Sequence, residues 1–508
     1  MQKATKLTAS HPQSARKQYT TSHEEVNGQL DCELFQRVSS EITGVTSVFC
    51  ELRPGMIFVT TNGDLQKLDQ VLDQVTSSGA VAVVTQEEVG DAARRLKSDI
   101  PIVQVENSRL ALALLASRLS RVQPDTIVAV TGTMGKTSVA EFTRQIFTFA
   151  GYPAASIGTL GVIHSRGNTN TKWTTPEPVT VHRVLNDLAE DGVTHVSMEA
   201  SSHGLSQYRL DGVKLATAGF TNLSQDHQDY HHSMPSYFEA KMRLFGDLLN
   251  GENASVINVD TYWGQKAAEY VKARGGNLLS VGYQGSDIMV TSCHKRCDRL
   301  ELELDGITGK SSVSLPFIWD FQVSNAIVAA GLTIAAGLNS ETTVAGLEAL
   351  QPPRGRLEFM GKTPKDAQVF VDYAHNPASM KKVLQTLRLI TLRRLVVVFG
   401  CGGDRDTMKR PVMGELASRF ADTVIVTDDN PRSEDPSSIR HQILSSAPGA
   451  IEISDRAEAI LYAARRLEAG DVLVVAGKGH ETYQEIGNVF APCSDHDLVR
   501  TAMKNCEP

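Results

Sequence analysis

A short glycine-containing loop carries the most specific chemistry in the sequence. Residues 131–138 read Thr-Gly-Thr-Met-Gly-Lys-Thr-Ser and directly follow the apolar, β-branched run at 125–130. Backbone N–H groups and the positive end of a following helix attract a phosphate chain, while Lys136 can approach its β- and γ-phosphates and Thr137 can hold Mg²⁺. The match to the general phosphate-loop pattern is incomplete, because Val130 replaces the first glycine. We predict that ATP binds here, through Thr131, Gly132, Thr133, Met134, Gly135, Lys136, Thr137 and Ser138.

Two polar clusters follow strand-like runs downstream of this loop. One reads Met-Glu-Ala-Ser-Ser-His-Gly at 198–204, and the other, at 221–231, contains four acidic or histidine side chains after a second strand. An open parallel sheet presents its ligands at the carboxyl ends of its strands. Glu199 and His227 are therefore predicted to be metal or base residues near the γ-phosphate. A single histidine more often caps or packs, but the clustering favours a functional role.

The apolar runs that must position these groups alternate with helix-length segments, which predicts a βα series. A loop rich in proline and glycine at 351–355 interrupts the series. Strands are predicted at 56–59 and 80–84, then at 125–130, 193–198 and 254–258, and after the loop at 369–372, 395–399, 423–427 and 471–475.

This pattern predicts an α/β protein of three domains. We assign residues 1–31 to a polar tail, 32–122 to a small N-terminal α/β domain, 123–352 to a central ATP-binding α/β domain with the phosphate loop, and 353–508 to a C-terminal Rossmann-like α/β domain. The first 23 residues contain no acidic side chain and show no helix or strand period, which indicates a floppy tail; an organelle transit peptide has a similar composition.

Composition restricts the class of protein further. The chain has 508 residues, of which 50 are basic and 58 acidic, giving a formal charge of −8. No uniformly basic surface for nucleic acid is expected, and no apolar run is long enough for a membrane helix. The seven cysteines are an odd number and widely scattered, so reduced thiols are expected. We expect a cytoplasmic monomer that binds neither nucleic acid nor membrane.

The ordered motifs of the chain resemble those of the Mur ligases, the ATP-dependent amide-forming enzymes of peptidoglycan synthesis. The resemblance runs from about Asp125 to the C-terminus. It rests on Thr-Gly-Thr-Met-Gly-Lys-Thr at 131–137, Thr-Thr-Pro-Glu at 174–177, Glu-Ala-Ser-Ser-His-Gly at 199–204, Asn-Leu-Ser-Gln-Asp-His at 222–227, Lys241, Arg-Gly-Arg at 354–356, Asp-Tyr-Ala-His at 372–375, Gly-Cys-Gly-Gly-Asp-Arg at 400–405 and Gly-Lys-Gly-His-Glu at 477–481.

Within the family, Asp-Asn-Pro-Arg, found here at 429–432, goes with members that add meso-diaminopimelate rather than lysine. Diaminopimelate differs from lysine by a terminal carboxylate, which a guanidinium can bind as a bidentate fork. The resemblance implies that Arg432 and Asn430 hold that end and that Glu481 suits an ammonium group. The implied pocket comprises Arg405, Asp429, Asn430, Pro431, Arg432, Gly477 and Glu481.

The resemblance also implies a reaction and a set of ligands. A D-glutamyl γ-carboxylate of UDP-N-acetylmuramoyl-L-Ala-D-Glu attacks ATP to form an acyl phosphate, from which the amine of diaminopimelate displaces phosphate. Lys136, Glu199, His227 and Lys241 would be catalytic. Mg²⁺ would be held by Thr137 and Glu199, with a second ion near His227 and a carbamylated Lys241. Asn325, Arg356 and Asp372 would face the nucleotide, and Thr174, Thr175, Ser201, Gln207 and Arg209 would bind the muramoyl-dipeptide.

The sequence departs from the family at the segment that binds UDP. Residues 46–50 read Thr-Ser-Val-Phe-Cys where the family has Thr-Ser-Asp-Ser-Arg. Met134 replaces an asparagine, and Trp319 begins a segment where the family has glycine. Three interpretations stay open: a diaminopimelate-adding ligase with a divergent UDP pocket, a paralogous ligase that uses a different carboxylate, and a non-catalytic scaffold. Intact Lys136 and Glu199 argue against the scaffold.

Overall fold

The structure, a computed structural model, describes residues 42–61, 74–86, 100–296 and 299–505, with a few isolated positions before residue 42. Its contacts divide the chain into two units, Met1–Leu119 and Ser120–Pro508. The predicted α/β class is confirmed, because helices alternate with mainly parallel strands in every large sheet. The polar tail predicted at 1–31 falls almost entirely outside the described residues. The domain limits at 31, 122 and 352 stay predictions.

The first unit contains a parallel sheet of four strands in the order β1-β2-β3-β4. The predicted strand at 56–59 is confirmed, whereas the one predicted at 80–84 lies at Ala82–Thr85. A small core forms around Phe58 and Val83. The elements are β1 Gly44–Thr46, a 3₁₀ turn Phe49–Glu51, β2 Met56–Val59, β3 Ala82–Thr85, β4 Ile102–Gln104 and α1 Ser108–Leu119.

The second unit begins with an eleven-stranded sheet whose order is β15-β14-β13-β12-β11-β10-β5-β9-β6-β7-β8. Its seven middle strands, from β13 to β6, are parallel, and antiparallel strands extend both edges. The strands are β5 Thr126–Thr131, β6 Ala154–Gly158, β7 Gly161–His164, β8 Gly167–Thr169, β9 His195–Glu199, β10 Thr217–Phe220, β11 Ala254–Asn258, β12 Asn277–Gly282, β13 Ile288–Lys295, β14 Leu300–Gly306 and β15 Ser311–Leu315.

Strand β5 shows why the middle of a central strand is apolar on both faces. Val128 and Val130 belong to one buried cluster, whereas Ile127 and Ala129 belong to another on the opposite face. Successive side chains of a strand point to opposite faces, and helices cover both. The covering helices are α2 Lys136–Phe149, α3 Pro178–Glu190, α4 Ser202–Ser206, α5 Gln228–His231, α6 Met234–Arg243 with a π-helical turn Leu244–Leu248, α7 Tyr262–Ala273, α8 Asp320–Ala335 and α9 Ser340–Glu348.

The rest of the second unit contains a six-stranded sheet in the order β16-β17-β21-β18-β19-β20, in which only the edge strand β16 is antiparallel. A hairpin, β22-β23, follows. The elements are β16 Glu358–Lys362, β17 Gln368–Asp372, α10 Pro377–Arg388, β18 Leu395–Phe399, α11 Lys409–Phe420, β19 Thr423–Val426, α12 Pro436–Leu444, β20 Ile451–Glu452, α13 Arg456–Arg465, β21 Val472–Ala476, β22 Tyr483–Ile486, β23 Val489–Pro492 and α14 Asp495–Lys504.

The two large sheets share part of their hydrophobic core. Trp319, which stands where the resemblance expects glycine, is buried and packs edge-to-face on Phe370 at 5.5 Å between ring centroids. The indole therefore joins the start of α8 to strand β17 of the C-terminal sheet. In the described ranges no helix is both long and apolar enough to span a bilayer.

Candidate active site

The phosphate loop joins the end of β5 to the start of α2, as the sequence predicts. Gly132 and Gly135 adopt φ values of +149° and +89°, which L side chains rarely adopt. A Cβ on Gly132 would lie 1.9 Å from the Thr221 hydroxyl oxygen, and one on Gly135 would lie 2.2 Å from Asn325 Oδ1. Glycine is therefore required at both positions, and Asn325 is placed directly against the loop.

The loop is held from behind by the residues that follow β10. Asn222 accepts a hydrogen bond from the Met134 N–H at 3.1 Å and donates one to the Met134 carbonyl at 3.1 Å. The Thr221 hydroxyl donates to the same carbonyl at 2.7 Å. All three bonds use the backbone of residue 134, so the loop conformation does not depend on the side chain there.

Two lysines reach the same loop carbonyl. Lys136 Nζ donates to the Gly132 carbonyl oxygen at 2.9 Å, and Lys241 Nζ donates to it at 2.7 Å. Burial lowers the pKa of Lys136, with Glu199 and Asp226 opposing the shift. The pKa of Lys241 lies well below its ordinary value because of burial and the neighbouring Lys136 charge.

Glu199, at the end of β9, lies beside the start of α2. It is buried and accepts a hydrogen bond from the Thr159 N–H at 2.7 Å. A small cavity is lined by both Thr137 and Glu199, together with Gly158. Among the described residues, no group of three or more histidine, cysteine or acidic side chains could hold a metal by itself. A hydroxyl and one carboxylate fit Mg²⁺, which binds through one or two carboxylates and completes its shell with phosphate and water.

His227 lies between β10 and α5, in a left-handed conformation with φ +52°. Its ring meets His203 edge-on at 4.8 Å between centroids and Tyr237 at 6.1 Å. Burial lowers the pKa of His227 to about 4, although the adjacent Asp226 carboxylate opposes the shift. The imidazole is therefore neutral near pH 7, the form that can bind a metal. Lys241 Nζ lies 4.5 Å above the Tyr237 ring, so both side chains flank this tyrosine.

The C-terminal part of the unit contributes a cation to the phosphate loop. Arg356 Nη2 donates to the Thr137 hydroxyl at 2.9 Å, and its guanidinium stacks over Tyr373 at 4.4 Å. Asp372, at the end of β17, accepts from the Leu357 N–H at 2.6 Å and the Ala374 N–H at 2.7 Å. Burial raises the pKa of Asp372 to about 6, with Arg356 opposing the shift.

A second hydrogen bond joins the C-terminal sheet to the central part of this unit, and the sequence analysis did not predict it. Asn376 Nδ2 donates to Asp226 Oδ2 at 3.1 Å, which ties the start of α10 to the residue before His227. Asp226 lies inside the Gln-Asp-His motif, and that motif was the available signal.

The five residues assigned to the muramoyl-dipeptide lie together near Glu199. Thr175 donates its hydroxyl to the Glu199 carbonyl at 2.8 Å and accepts from the Ser201 N–H at 2.9 Å. Arg209 donates to the Thr175 carbonyl at 2.8 Å and to Gln207 Oε1 at 2.7 Å. The Thr174 and Thr159 hydroxyls form a hydrogen bond at 3.1 Å. Arg209 also forms an ion pair with Glu177 at 2.7 Å, and its guanidinium lies over the Trp173 ring, 5.6 Å from the centroid. Glu177 and Trp173 were not assigned from the sequence.

The residues assigned to diaminopimelate surround the carboxyl ends of β19 and β21. Asn430 Nδ2 donates to Glu481 Oε2 at 2.9 Å. Lys478, also missed in the sequence, is fully buried and donates to Asn430 Oδ1 at 3.0 Å and Glu481 Oε2 at 2.9 Å. Burial raises the pKa of Glu481, with Lys478 opposing the shift. Gly477 lies against Asp429, whose pKa is held low by Lys478 and Arg456 despite its burial.

Arg432 lies in the same loop as Asn430 and Pro431. Its Nε donates to Glu485 Oε2 at 2.7 Å, and its Nη1 donates to the Gly403 carbonyl at 2.7 Å. Arg405 is exposed on the loop after β18. The structure thus brings the assigned residues to one end of the C-terminal sheet, and their roles toward a substrate stay predictions.

A phosphate loop, a nearby carboxylate and an arginine from a second α/β sheet are typical of an α/β enzyme that acts on a nucleotide. The family model for the Mur ligase middle domain matches residues 130–333, and that for the Mur ligase, glutamate ligase domain, matches residues 355–479. The chain belongs to the Mur ligase family.

The similarity to known proteins extends over nearly the whole chain. This chain is 47% identical over 471 residues to UDP-N-acetylmuramoyl-L-alanyl-D-glutamate--2,6-diaminopimelate ligase of Agrobacterium fabrum, and the match covers 92% of this chain and 94% of that protein. A solved structure of a ligase with this name has a TM-score of 0.65 and 32% identity, covering 91% and 94% of the two chains. The MurF ligase of Thermotoga maritima in complex with ADP, with a TM-score of 0.61 and 19% identity over 92% and 98%, shares the fold.

Proposed function

We propose that the chain joins meso-diaminopimelate to the D-glutamyl γ-carboxylate of UDP-N-acetylmuramoyl-L-Ala-D-Glu in an ATP-dependent reaction. The observation that carries this proposal is its 47% identity, over 92% of the chain, to a ligase whose name states these substrates. The positions of the phosphate loop and the Asn430–Arg432 segment support the same assignment, because both lie at carboxyl ends of parallel strands.

The phosphate loop would bind the nucleotide. Its backbone N–H groups at the start of α2 would bind the anion, and Lys136, which here donates to the Gly132 carbonyl, would neutralise the β- and γ-phosphates. Arg356 lies 2.9 Å from the Thr137 hydroxyl, so its guanidinium can reach the same phosphates. Positioning and charge neutralisation are the main contributions a protein makes to phosphoryl transfer.

Bound Mg²⁺ would supply charge neutralisation at the phosphate oxygens, with Thr137 and Glu199 as its protein ligands. Carbamylated Lys241 and neutral His227 would hold the second ion on the Tyr237 side of the loop. The shared cavity of Thr137 and Glu199 and the low pKa of His227 support these ligand assignments.

The chemistry has two balanced steps. In the first step, a γ-carboxylate oxygen bonds to the γ-phosphorus while the bond from phosphorus to the ADP oxygen breaks. In the second step, the amine nitrogen bonds to the acyl carbon, the carbon–oxygen bond to phosphate breaks, and the amine loses a proton. Arg209, with Thr174, Thr175, Ser201 and Gln207, would hold the muramoyl-dipeptide near Glu199 so that its carboxylate faces the phosphate loop.

A ligase that uses a different carboxylate is the second candidate, and one observation favours it. Val48 and Phe49, which stand where the family has polar residues, are exposed at 44% and 43% on the loop after β1. They offer no charge or hydroxyl to a uridine diphosphate. Loss of such groups weakens recognition when nothing replaces them.

One assay separates these functions. Phosphate release and product mass are measured with ATP, Mg²⁺ and meso-diaminopimelate, with and without UDP-N-acetylmuramoyl-L-Ala-D-Glu. We expect a product that contains one diaminopimelate only when the nucleotide-linked dipeptide is present. A product formed only with other carboxylates would support the paralogous ligase, and no ATP consumption with any acceptor would contradict both.

A further inference from the structure

Glu485 lies in the hairpin β22-β23 and contacts both residues assigned to the far end of diaminopimelate. Its backbone N–H donates to Asn430 Oδ1 at 3.0 Å. Its carbonyl accepts from the Arg432 N–H at 3.0 Å, and its carboxylate accepts from Arg432 Nε at 2.7 Å. One residue, 53 positions along the chain from Arg432, therefore fixes both side chains.

These bonds also support an unfavourable backbone conformation. Arg432 has φ +51°, a left-handed value that is uncommon for a residue with a side chain. The hairpin binds both backbone groups of Arg432. The Glu485 carbonyl accepts from the Arg432 N–H, and the Gly487 N–H donates to the Arg432 carbonyl at 2.7 Å. Strain of this kind persists where surrounding contacts impose it, and it is frequent in ligand sites.

The contacts leave one edge of the guanidinium for a ligand. Nε is bound by Glu485, and Nη1 gives one hydrogen to the Gly403 carbonyl at 2.7 Å. The remaining N–H groups, one on Nη1 and two on Nη2, lie along the end of the guanidinium and can bind a carboxylate through two parallel bonds. Arg432 and Glu485 are 21% and 26% exposed at the side chain, so the pair is accessible but partly desolvated.

The Glu485 carboxylate has a free acceptor as well. Oε2 receives the Arg432 bond, and no described group donates to Oε1. Glu481, by contrast, already faces the buried ammonium of Lys478 at 2.9 Å. A second ammonium near this end of the sheet is therefore better matched by Glu485 than by Glu481.

We propose that Glu485 is a specificity residue that binds the distal ammonium of the diamino acid while Arg432 binds the distal carboxylate. An adjacent guanidinium and carboxylate complement a carbon atom that carries both a carboxylate and an ammonium group, which the distal carbon of meso-diaminopimelate does. Lysine offers only the ammonium and 2-aminopimelate only the carboxylate. The inference rests on the proposed function and names one more contact of its amino-acid pocket.

The test compares meso-diaminopimelate with 2-aminopimelate in wild type and in Glu485→Gln. The variant keeps an oxygen acceptor for Arg432 Nε but removes the negative charge. We expect kcat/KM for meso-diaminopimelate to fall about tenfold or more, because a charged hydrogen bond is weakened, with little change for 2-aminopimelate. Glu468→Gln is the matched control, since Glu468 forms an exposed surface pair with Lys365.

Each outcome has a defined meaning. An equal fall for both diacids in Glu485→Gln would overturn the ammonium site and leave Glu485 as a residue that only positions Arg432. Glu485→Ala is a second test. It also removes the acceptor for Arg432 Nε, so kcat/KM should fall for both diacids, with the larger fall for meso-diaminopimelate. If wild type ligates diaminopimelate normally and neither variant changes the ratio, only this inference is wrong. If wild type joins neither diacid, the proposed function is wrong and the inference falls with it.

Discussion

Lys136 and Lys241 donate to the same oxygen, the carbonyl of Gly132, at 2.9 and 2.7 Å. Two ammonium groups on one acceptor repel each other, and both side chains lie in a region of low solvent access. The pKa of Lys241 is lowered strongly by burial and by Lys136. The arrangement therefore favours loss of a proton from Lys241, and a neutral amine is the form that carbamylation requires.

Substitution of the cationic lysine tests the nucleotide site. Lys136→Ala should reduce ligation about 100-fold or more, because a charge aimed at the transferring phosphate is lost. The chain should stay folded, since Lys136 contacts only loop carbonyls. Steady-state phosphate release and a far-UV circular dichroism spectrum measure the two effects. Lys266→Ala, at an exposed i,i+3 pair, is the control; normal turnover in Lys136→Ala would refute the assignment.

Carbamylation of Lys241 is a separate prediction. The neutral amine nitrogen bonds to the carbon of CO₂ and releases one proton, which converts a base into a carboxylate-like ligand for Mg²⁺. Since a protonated amine cannot react, lowering the pH through the folded pKa of Lys241 should remove the carbamate. With ¹³C-labelled bicarbonate, a carbamate carbon resonance should appear in wild type and disappear in Lys241→Arg. Full activity in CO₂-depleted buffer, with no such resonance, would contradict the prediction.

Arg356, which follows the loop at 351–355, is predicted to act on the nucleotide rather than on the amino acid. Arg356→Lys keeps the charge but loses the planar fork that reaches Thr137 and stacks on Tyr373. We expect kcat to fall about tenfold to 100-fold, while KM for diaminopimelate changes little. Initial rates with each substrate varied in turn provide the measurement. A larger change in the KM for diaminopimelate than in kcat or the KM for ATP would contradict this prediction and place Arg356 in the amino-acid pocket.

Local sequence predicted the strands that are buried on both faces. The run at 395–399 coincides with β18, which is apolar at every position because helices cover both faces of the sheet. The run at 254–258 coincides with β11, although Ser255 and Asn258 are buried in it as well. Strand ends were less accurate. The strand predicted at 471–475 lies at Val472–Ala476, and the Asp471 carboxylate instead accepts hydrogen bonds from Arg394.

Long-range pairing was the part that sequence could not supply. Lys478 stands in a Gly-Lys-Gly segment that is typical of an exposed turn, yet it is the buried counterion of Glu481. Glu485 meets Arg432 only because a hairpin folds back onto the loop after β19. Periodicity describes which face of an element is buried, whereas these contacts depend on how separate elements are placed.

Arg432 itself is predicted to determine the affinity for the incoming amino acid. Arg432→Ala removes the fork for the distal carboxylate and leaves Glu485 without its cation. The KM for diaminopimelate should rise about 100-fold, whereas the KM for ATP should change little. The experiment varies each substrate at saturating concentrations of the others. Equal effects on both constants would mean that the arginine lies outside the amino-acid pocket.

A buried ion pair beneath the amino-acid pocket is expected to set the stability of the C-terminal part. Arg456 and Asp495 are 2% and 0% exposed and form two parallel bonds, each 2.7 Å long. Asp495→Ala should destabilise this part by about 3 to 5 kcal/mol, because the guanidinium is left buried without its counterion. The denaturant midpoint, followed by near-UV circular dichroism, should fall accordingly.

The control for this pair lies two residues further along the same helix. Asp497 pairs with Arg500 at 3.2 Å, but both side chains are largely exposed, so Asp497→Ala should shift the midpoint far less. Because Arg456 also donates to the Ala476 carbonyl at 2.9 Å, just before Gly477, Asp495→Ala should raise the KM for diaminopimelate even where the variant is folded. Similar midpoints for the two variants would show that solvent reaches the pair and that its burial does not stabilise the fold.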